Sequence, residues 1–370
     1  YIVDALRENG KNTVTAVMSE SFVQRGECAC VSPYERTQMA LACGVDLVLS
    51  LPVAYATASA ERFAEGGVTV LGSLGCIDAL GFGSESGDVE TLKKCAEAIT
   101  SEEFSPLLEN RLSEGLSYPT ARQKALRDMY GDSFADALAS SNDILGVEYI
   151  KAINKFGFDI TPKAIKRIGV SHDSDEVSGN ICSASAIREF LKTENDFCGF
   201  MPKESADILK NALEEQKAPA DFTRLENAVL YKLRTMSAEE FKAIPDVSEG
   251  LEYRFVEAVK NSVSVSEILE KVKTKRYTHS RLRRIIICAL LGITKSCFSA
   301  PIPYIRVLGF NKRGAEVLKQ AKESATLPII SKSLSIFSSK NWRYCRSIIR
   351  KYASSNQNTT IGIYATNTYP

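Results

Sequence analysis

Apolar and polar residues follow two different rhythms along this chain. In its first two hundred residues, short unbroken apolar runs interrupt longer stretches with helical spacing. Val14–Met18, Val45–Leu51 and Ile77–Gly83 are compact runs that read as strands, and a further short strand is expected beside Arg167. Between them, Glu35–Gly44 and Ser59–Gly75 carry apolar residues every three to four positions, the period of a helix with one buried face. More helices are expected over Asp88–Thr100, Ser101–Glu114, Ala121–Tyr130 and Ser140–Ile153. Strands separated by helices pair in parallel through crossovers, which predicts an α/β fold with a parallel sheet. Ligands of such sheets sit beyond the carboxyl ends of the strands. The chemistry is therefore sought just after Met18, Leu51, Phe82 and Ile168.

Beyond residue 220 the rhythm is mainly helical. Helices are expected over Thr223–Ser237, Glu249–Asn261, Ser264–Val272, His279–Leu291, Lys312–Lys322 and Asn341–Ala353. Pro301–Phe310 and Thr326–Ser331 are extended interruptions. The runs FMPKES and QKAPAD break the pattern between Phe200 and Ala220. This predicts two domains, 1–205 and 221–370.

Charge sharpens that division. The 370 residues hold 46 Lys+Arg and 45 Asp+Glu, a net +1. From Leu251 to Pro370, however, 21 basic residues face 6 glutamates and no aspartate, a net +15, so residues 1–250 carry −14. An acidic body joined to a basic half suggests a polyanionic partner for the latter. The densest stretch, Lys271–Arg284, carries Lys271, Lys273, Lys275, Arg276, Arg281, Arg283 and Arg284 around Tyr277. Basic side chains with an interleaved aromatic suit phosphate contacts and base stacking; a solvated helix face would look similar. The apolar run Ile285–Ile293 is too short to span a bilayer. No basic-then-apolar leader opens the chain. Ten scattered cysteines without a CxxC pair, and only two histidines, supply neither a disulfide framework nor a zinc site. Reduced thiols in a cytoplasmic protein are expected.

Several loops could carry chemistry. Gly83, in GFGSESGD, lets a backbone approach a ligand closely, although the run is not GxGxxG and a simple turn explains it equally well. Asn142 and Asp143 open a helix and cannot both cap it, which leaves one for a ligand. Arg167 and His172 flank a short strand. In NICSASAIREFLK, Ser183 and Ser185 open a helix that carries Arg188 one turn in. Free N–H groups, hydroxyls and a guanidinium together suit a triphosphate, though an ordinary capped helix has the same ingredients.

Taken in order, AVMSESFVQRGE, MALACGVDLVLSLPVAYATASAERFAEG, FGSESGD, SNDILGVEYIKAI, KRIGVSHD, ICSASAIREFL, KRYTHSRLRRI and PYIRVLGFNKRG resemble the bacterial tRNA(Met) cytidine acetate ligase family. This is a branch of the HxGH-type nucleotidyltransferases, and the resemblance spans nearly the whole chain. It implies a Rossmann-like nucleotidyltransferase domain followed by a basic helical tRNA platform. It also implies ATP, with Mg2+ on its phosphates, and activation of acetate as acetyl-adenylate. The acetyl group would then pass to the wobble cytidine of elongator methionine tRNA, giving N4-acetylcytidine. Gly83, Asn142, Arg167, Ile168, Ser183, Ser185 and Arg188 would meet ATP. Two departures stand out. Tyr1-Ile2-Val3 resembles the helix that follows the family's HxGH element, and His172 and His279 cannot form that motif. The expectation is a sequence truncated at its start and inactive as it stands. Glu20 follows Ser19 where the family usually has Gly. A different adenylyltransferase, or a tRNA-binding protein without catalysis, are the competing readings.

Overall fold

The computed structural model describes residues 1–167, 184–193 and 197–331. Helix α1 (Ile2–Arg7) precedes strand β1 (Thr15–Ser19). A short hairpin, β2 (Phe22–Val23) and β3 (Glu27–Cys28), leads to α2 (Pro33–Ala42), β4 (Leu47–Leu51), the single turn α3 (Val53–Ala56), α4 (Ala60–Gly72) and β5 (Ala79–Ser84). Helices α5 (Val89–Thr100), α6 (Phe104–Ser113), α7 (Tyr118–Tyr130), α8 (Asp132–Ala137) and α9 (Ser141–Phe156) lead to β6 (Thr161–Lys166). After α10 (Ala184–Thr193) and α11 (Lys203–Glu214) come α12 (Glu226–Arg234), α13 (Ala238–Ala243), α14 (Leu251–Lys260), α15 (Val265–Val272) and α16 (His279–Leu291). The described chain closes with β7 (Ile305–Phe310), α17 (Lys312–Ser324) and β8 (Ile329–Ile330).

The α/β class holds. β1 pairs in parallel with β4, Ser19 opposite Leu51, and β5 pairs in parallel with β6. Polar residues set the helix starts. Ser32 accepts from the Tyr34 amide ahead of Pro33, and Asp88 accepts from the Glu90 and Thr91 amides. Leu47, Leu49, Val70 and Leu74 form the floor of one core, and Phe82, Leu92, Leu126 and Val147 that of another.

Two packing contacts cross the expected domain limits. First, 301–330 does not belong with the helical half. β7 runs antiparallel to β4, and Ile305, Val307, Val317 and Ala321 complete the core under Leu47 and Leu49. Local periodicity identifies the extended segment but cannot name a partner more than 250 residues earlier. Second, α11 packs with the first half, where Ala206, Leu209 and Ala212 meet Val31 and Met39. These contacts continue through Ala218 to the Ala220 amide, which donates to the Cys30 carbonyl just ahead of the expected second-domain start at 221. The remaining helices, α12 to α16, enclose their own core of Val229, Phe241, Leu251, Phe255, Ile268, Leu282 and Ile285.

Candidate functional site

A cavity runs along β1 and β5, lined by Val14, Thr15, Leu80 and Gly81 toward their starts and by Val17 and Gly83 toward their ends. Leu51, at the end of β4, and Gly83, near the end of β5, line the same largely apolar cavity of about 320 Å³. Ile2 and Leu6 of α1, Asn142 and Tyr149 are also part of its wall. A methyl group built on Gly83 would meet nothing nearer than Ile2 at 3.6 Å and Arg167 at 3.7 Å. The fold itself therefore does not require glycine here. By contrast, a methyl on Gly146 would come within 2.5 Å of the Phe82 ring. A methyl on Gly83 would sit in ordinary contact with Ile2 and Arg167, while Gly146 is a packing glycine.

The loop after β5 is tied to the start of α9. Ser84 Oγ donates to Asp143, and the Ser86 amide donates to its other oxygen at 3.1 Å. Asp143 is only 2% exposed; it sits in the first turn of α9, where the helix dipole favours an anion. Ser140 is the cap, accepting from the Asp143 amide, so neither Asn142 nor Asp143 caps the helix. Glu85 holds the second pair of contacts. Asn142 Nδ2 and Ser140 Oγ donate to its carboxylate at 2.6 and 2.7 Å. Arg167 continues from β6, its amide donating to the Ser84 carbonyl at 2.9 Å. Gly83, Asn142 and Arg167 are thus brought to one place. Ile168 and Ser183 lie outside the described residues, as does the side chain of Ser185.

Arg188, expected beside them, lines a different cavity of about 380 Å³. That cavity joins the two halves: Arg25 and Cys30 come from the β2–β3 region, Asp221 and Phe222 from the link, and Arg283 from α16. The hairpin tip approaches α16 so closely that a methyl on Gly26 would lie 2.5 Å from Arg283 Cβ. Arg283 donates to Glu27 across the junction at 2.5 Å. Burial pushes the Cys28 thiol up to about 11, so it stays protonated near neutral pH. The two-residue strands of this hairpin leave no periodic trace in the sequence.

The basic stretch divides into two populations. Lys271, Lys275 and Arg276 are exposed, and Lys273 is half-buried. Tyr277 is 5% exposed and belongs to the helical core, with the Arg281 guanidinium 5.0 Å above its ring. This corrects the expectation that its face is offered for base stacking. Arg284 is 8% exposed and ion-paired to Asp246 at 2.9 Å, so it is a structural cation, not a phosphate contact. Arg281 donates to the Asp246 carbonyl and to Ser248. The physical reason is the period of α16, which turns Leu282, Ile285 and Cys288 inward and carries Arg284 with them. Among the described residues no helix is long and apolar enough to cross a membrane.

Comparison with known proteins gives one answer. The model of the HIGH Nucleotidyl Transferase family matches residues 1–369. A tRNA(Met) cytidine acetate ligase of Acetivibrio thermocellus is 37% identical over 348 residues, 90% of this chain and 84% of that protein. One from Fervidobacterium nodosum is 42% identical over 340 residues, covering 90% and 79%. The crystal structure of Thermotoga maritima TmcAL without ligand superposes with a TM-score of 0.87 at 32% identity, over 95% of this chain and 88% of that one. The same protein bound with alpha-thio ATP superposes with a TM-score of 0.85 at 32% identity, over 96% and 89%.

Proposed function

Since this chain belongs to the HIGH nucleotidyl transferases and, within them, to the tRNA(Met) cytidine acetate ligases, we propose that it activates acetate with ATP and transfers the acetyl group to the wobble cytidine of elongator methionine tRNA. In the first step an acetate oxygen attacks the α-phosphorus of ATP, and pyrophosphate leaves with the electron pair of the broken P–O bond. In the second, the exocyclic amine of cytidine attacks the acetyl carbon. AMP leaves, the amine gives up a proton, and N4-acetylcytidine results.

The convergence of Gly83, Asn142 and Arg167 at the carboxyl ends of β5 and β6 supports this reading most. Gly83 lets the nucleotide approach the backbone at the cavity wall, Asn142 offers an amide beside it, and Arg167 adds a cation for phosphate oxygens. The exposed Lys271, Lys275 and Arg276 hold the tRNA by its phosphates. Arg188 and Arg283 line the junction between these two regions. Among the described residues no group of three or more His, Cys, Asp or Glu could hold a metal ion. A magnesium would be held mainly by the ATP phosphates and enter with them.

The mechanism is tested with a non-reactive acetyl-sulfamate analogue of acetyl-adenylate. An intermediate analogue carries both halves of the activated acid, so it should bind about a hundredfold more tightly than AMP. Calorimetric titration showing no gain over AMP would contradict the acetyl-adenylate route. In parallel, elongator methionine tRNA should bind with a steep salt dependence. Salt-independent binding would remove the basic half from tRNA recognition.

A further inference from the structure

At the carboxyl ends of β1 and β4, Glu20 places its carboxylate in a receptor built from two other side chains, Ser50 and Arg306. Ser50 Oγ donates to Glu20 Oε1 at 2.5 Å, and Arg306 Nη1 lies 3.0 Å from both carboxylate oxygens. Arg36 donates to the main-chain carbonyls of Ser19 and Glu20, fixing the turn that carries the side chain. Ser50 is buried, while the Arg306 side chain is 46% exposed. The receptor therefore has a buried hydroxyl floor, a cationic wall and an opening to solvent. An ordinary surface ion pair has no such floor and contributes little. This one also sits where parallel strands end, the position at which α/β sheets bind ligands.

We propose that Ser50 and Arg306 form a binding site for a small monocarboxylate, and that the side chain of Glu20 occupies it in competition with the free acid. This rests on the ligase reading above and names where its acid substrate would be held. The chemistry matches: two carboxylate oxygens meet one hydroxyl donor and one guanidinium. A tethered carboxylate competes at an effective concentration on the order of millimolar or more, so free acetate binds weakly while Glu20 is present. Glu20 lies on the turn directly after β1, and rotation about its own side-chain bonds is enough to empty the site.

The probe is acetate, followed by saturation-transfer NMR on the whole chain, with ATP titrated separately on each variant. Glu20→Ala should lower the acetate dissociation constant at least tenfold, and Glu20→Gln should do so to a smaller extent. Adding Arg306→Met to Glu20→Ala should return acetate binding to the wild-type level or weaker. Thermal unfolding of each variant confirms that the fold is kept. Saturable acetate binding that ignores both Glu20→Ala and Arg306→Met, with ATP still bound, would overturn this site and leave the ligase reading standing. Inorganic phosphate binding more tightly than acetate to Glu20→Ala would overturn the carboxylate assignment. Failure of every variant to bind either ATP or acetate would overturn both readings together.

Discussion

The ends of β5 and β6 and the basic stretch of α16 both concentrate polar residues, yet they use them in opposite ways. At the strand ends, backbone topology chooses the position. Gly83, Asn142 and Arg167 come from three separate segments and meet because β5 and β6 run in parallel beside α9. On the helical side, the turn of a single helix chooses. Arg283 and Arg284 are adjacent in sequence, but one reaches Glu27 across the junction and the other is buried against Asp246. A residue's charge thus says little about its task until the element that carries it is known.

That contrast can be broken by substitution. The largest effect is expected at Asp46, 1% exposed, which gathers the Val14 amide, Arg7 and Asn311. Asp46→Ala leaves several buried donors without their acceptor and should cost about 4 kcal/mol of stability. Burial pushes the Asp46 carboxyl up, but Asn311, the Val14 amide and Arg7 more than offset it and hold it below the ordinary carboxylate value. A group more acidic when folded stabilises above its unfolded pKa of about 4 and loses that contribution as pH falls through its folded value. The gap between wild type and Asp46→Ala in urea unfolding should accordingly narrow below about pH 4. A gap unchanged down to strong acid would contradict the role given to its charge.

Next in size is Arg284→Ala. Loss of a buried cation from Asp246 should cost about 2 kcal/mol while leaving the salt dependence of tRNA binding unchanged. Lys275→Ala and Arg276→Ala should behave in the opposite way. Each should shift stability by less than about 0.5 kcal/mol and reduce the slope of log affinity against log salt by about one. If Arg284→Ala flattens the salt slope as Arg276→Ala does, the division of this stretch into core and surface cations fails.

How much of this was legible in sequence follows the same line. β1, β4 and β5 and most of their helices were visible as apolar rhythm. Tyr277 and Arg284 were misread because seven basic residues in fourteen drown the inward period of Leu282, Ile285 and Cys288. β7 was read as extended but placed in the wrong half, since its partner β4 is far away in sequence. The Ser50–Arg306 contact with Glu20 depends on that same pairing, so no local pattern could announce it.

A smaller test concerns the glycines. Gly146→Ala should destabilise the fold by about 1–3 kcal/mol through the Phe82 ring. Gly83→Ala should leave thermal stability nearly unchanged and weaken ATP binding. Equal stability losses at the two positions would show that Gly83, too, is a packing glycine.

The central claim is that nucleotide and tRNA are held by separate regions, and crossed titrations test it most directly. ATP and elongator methionine tRNA are each titrated against wild type, Arg167→Ala and the Lys275→Ala/Arg276→Ala pair. Arg167→Ala should weaken ATP about tenfold or more and leave tRNA affinity within about twofold, as loss of a charge-assisted contact predicts. The paired variant should do the reverse. ATP affinity that ignores Arg167→Ala, or that falls with Lys275 and Arg276, would contradict the account.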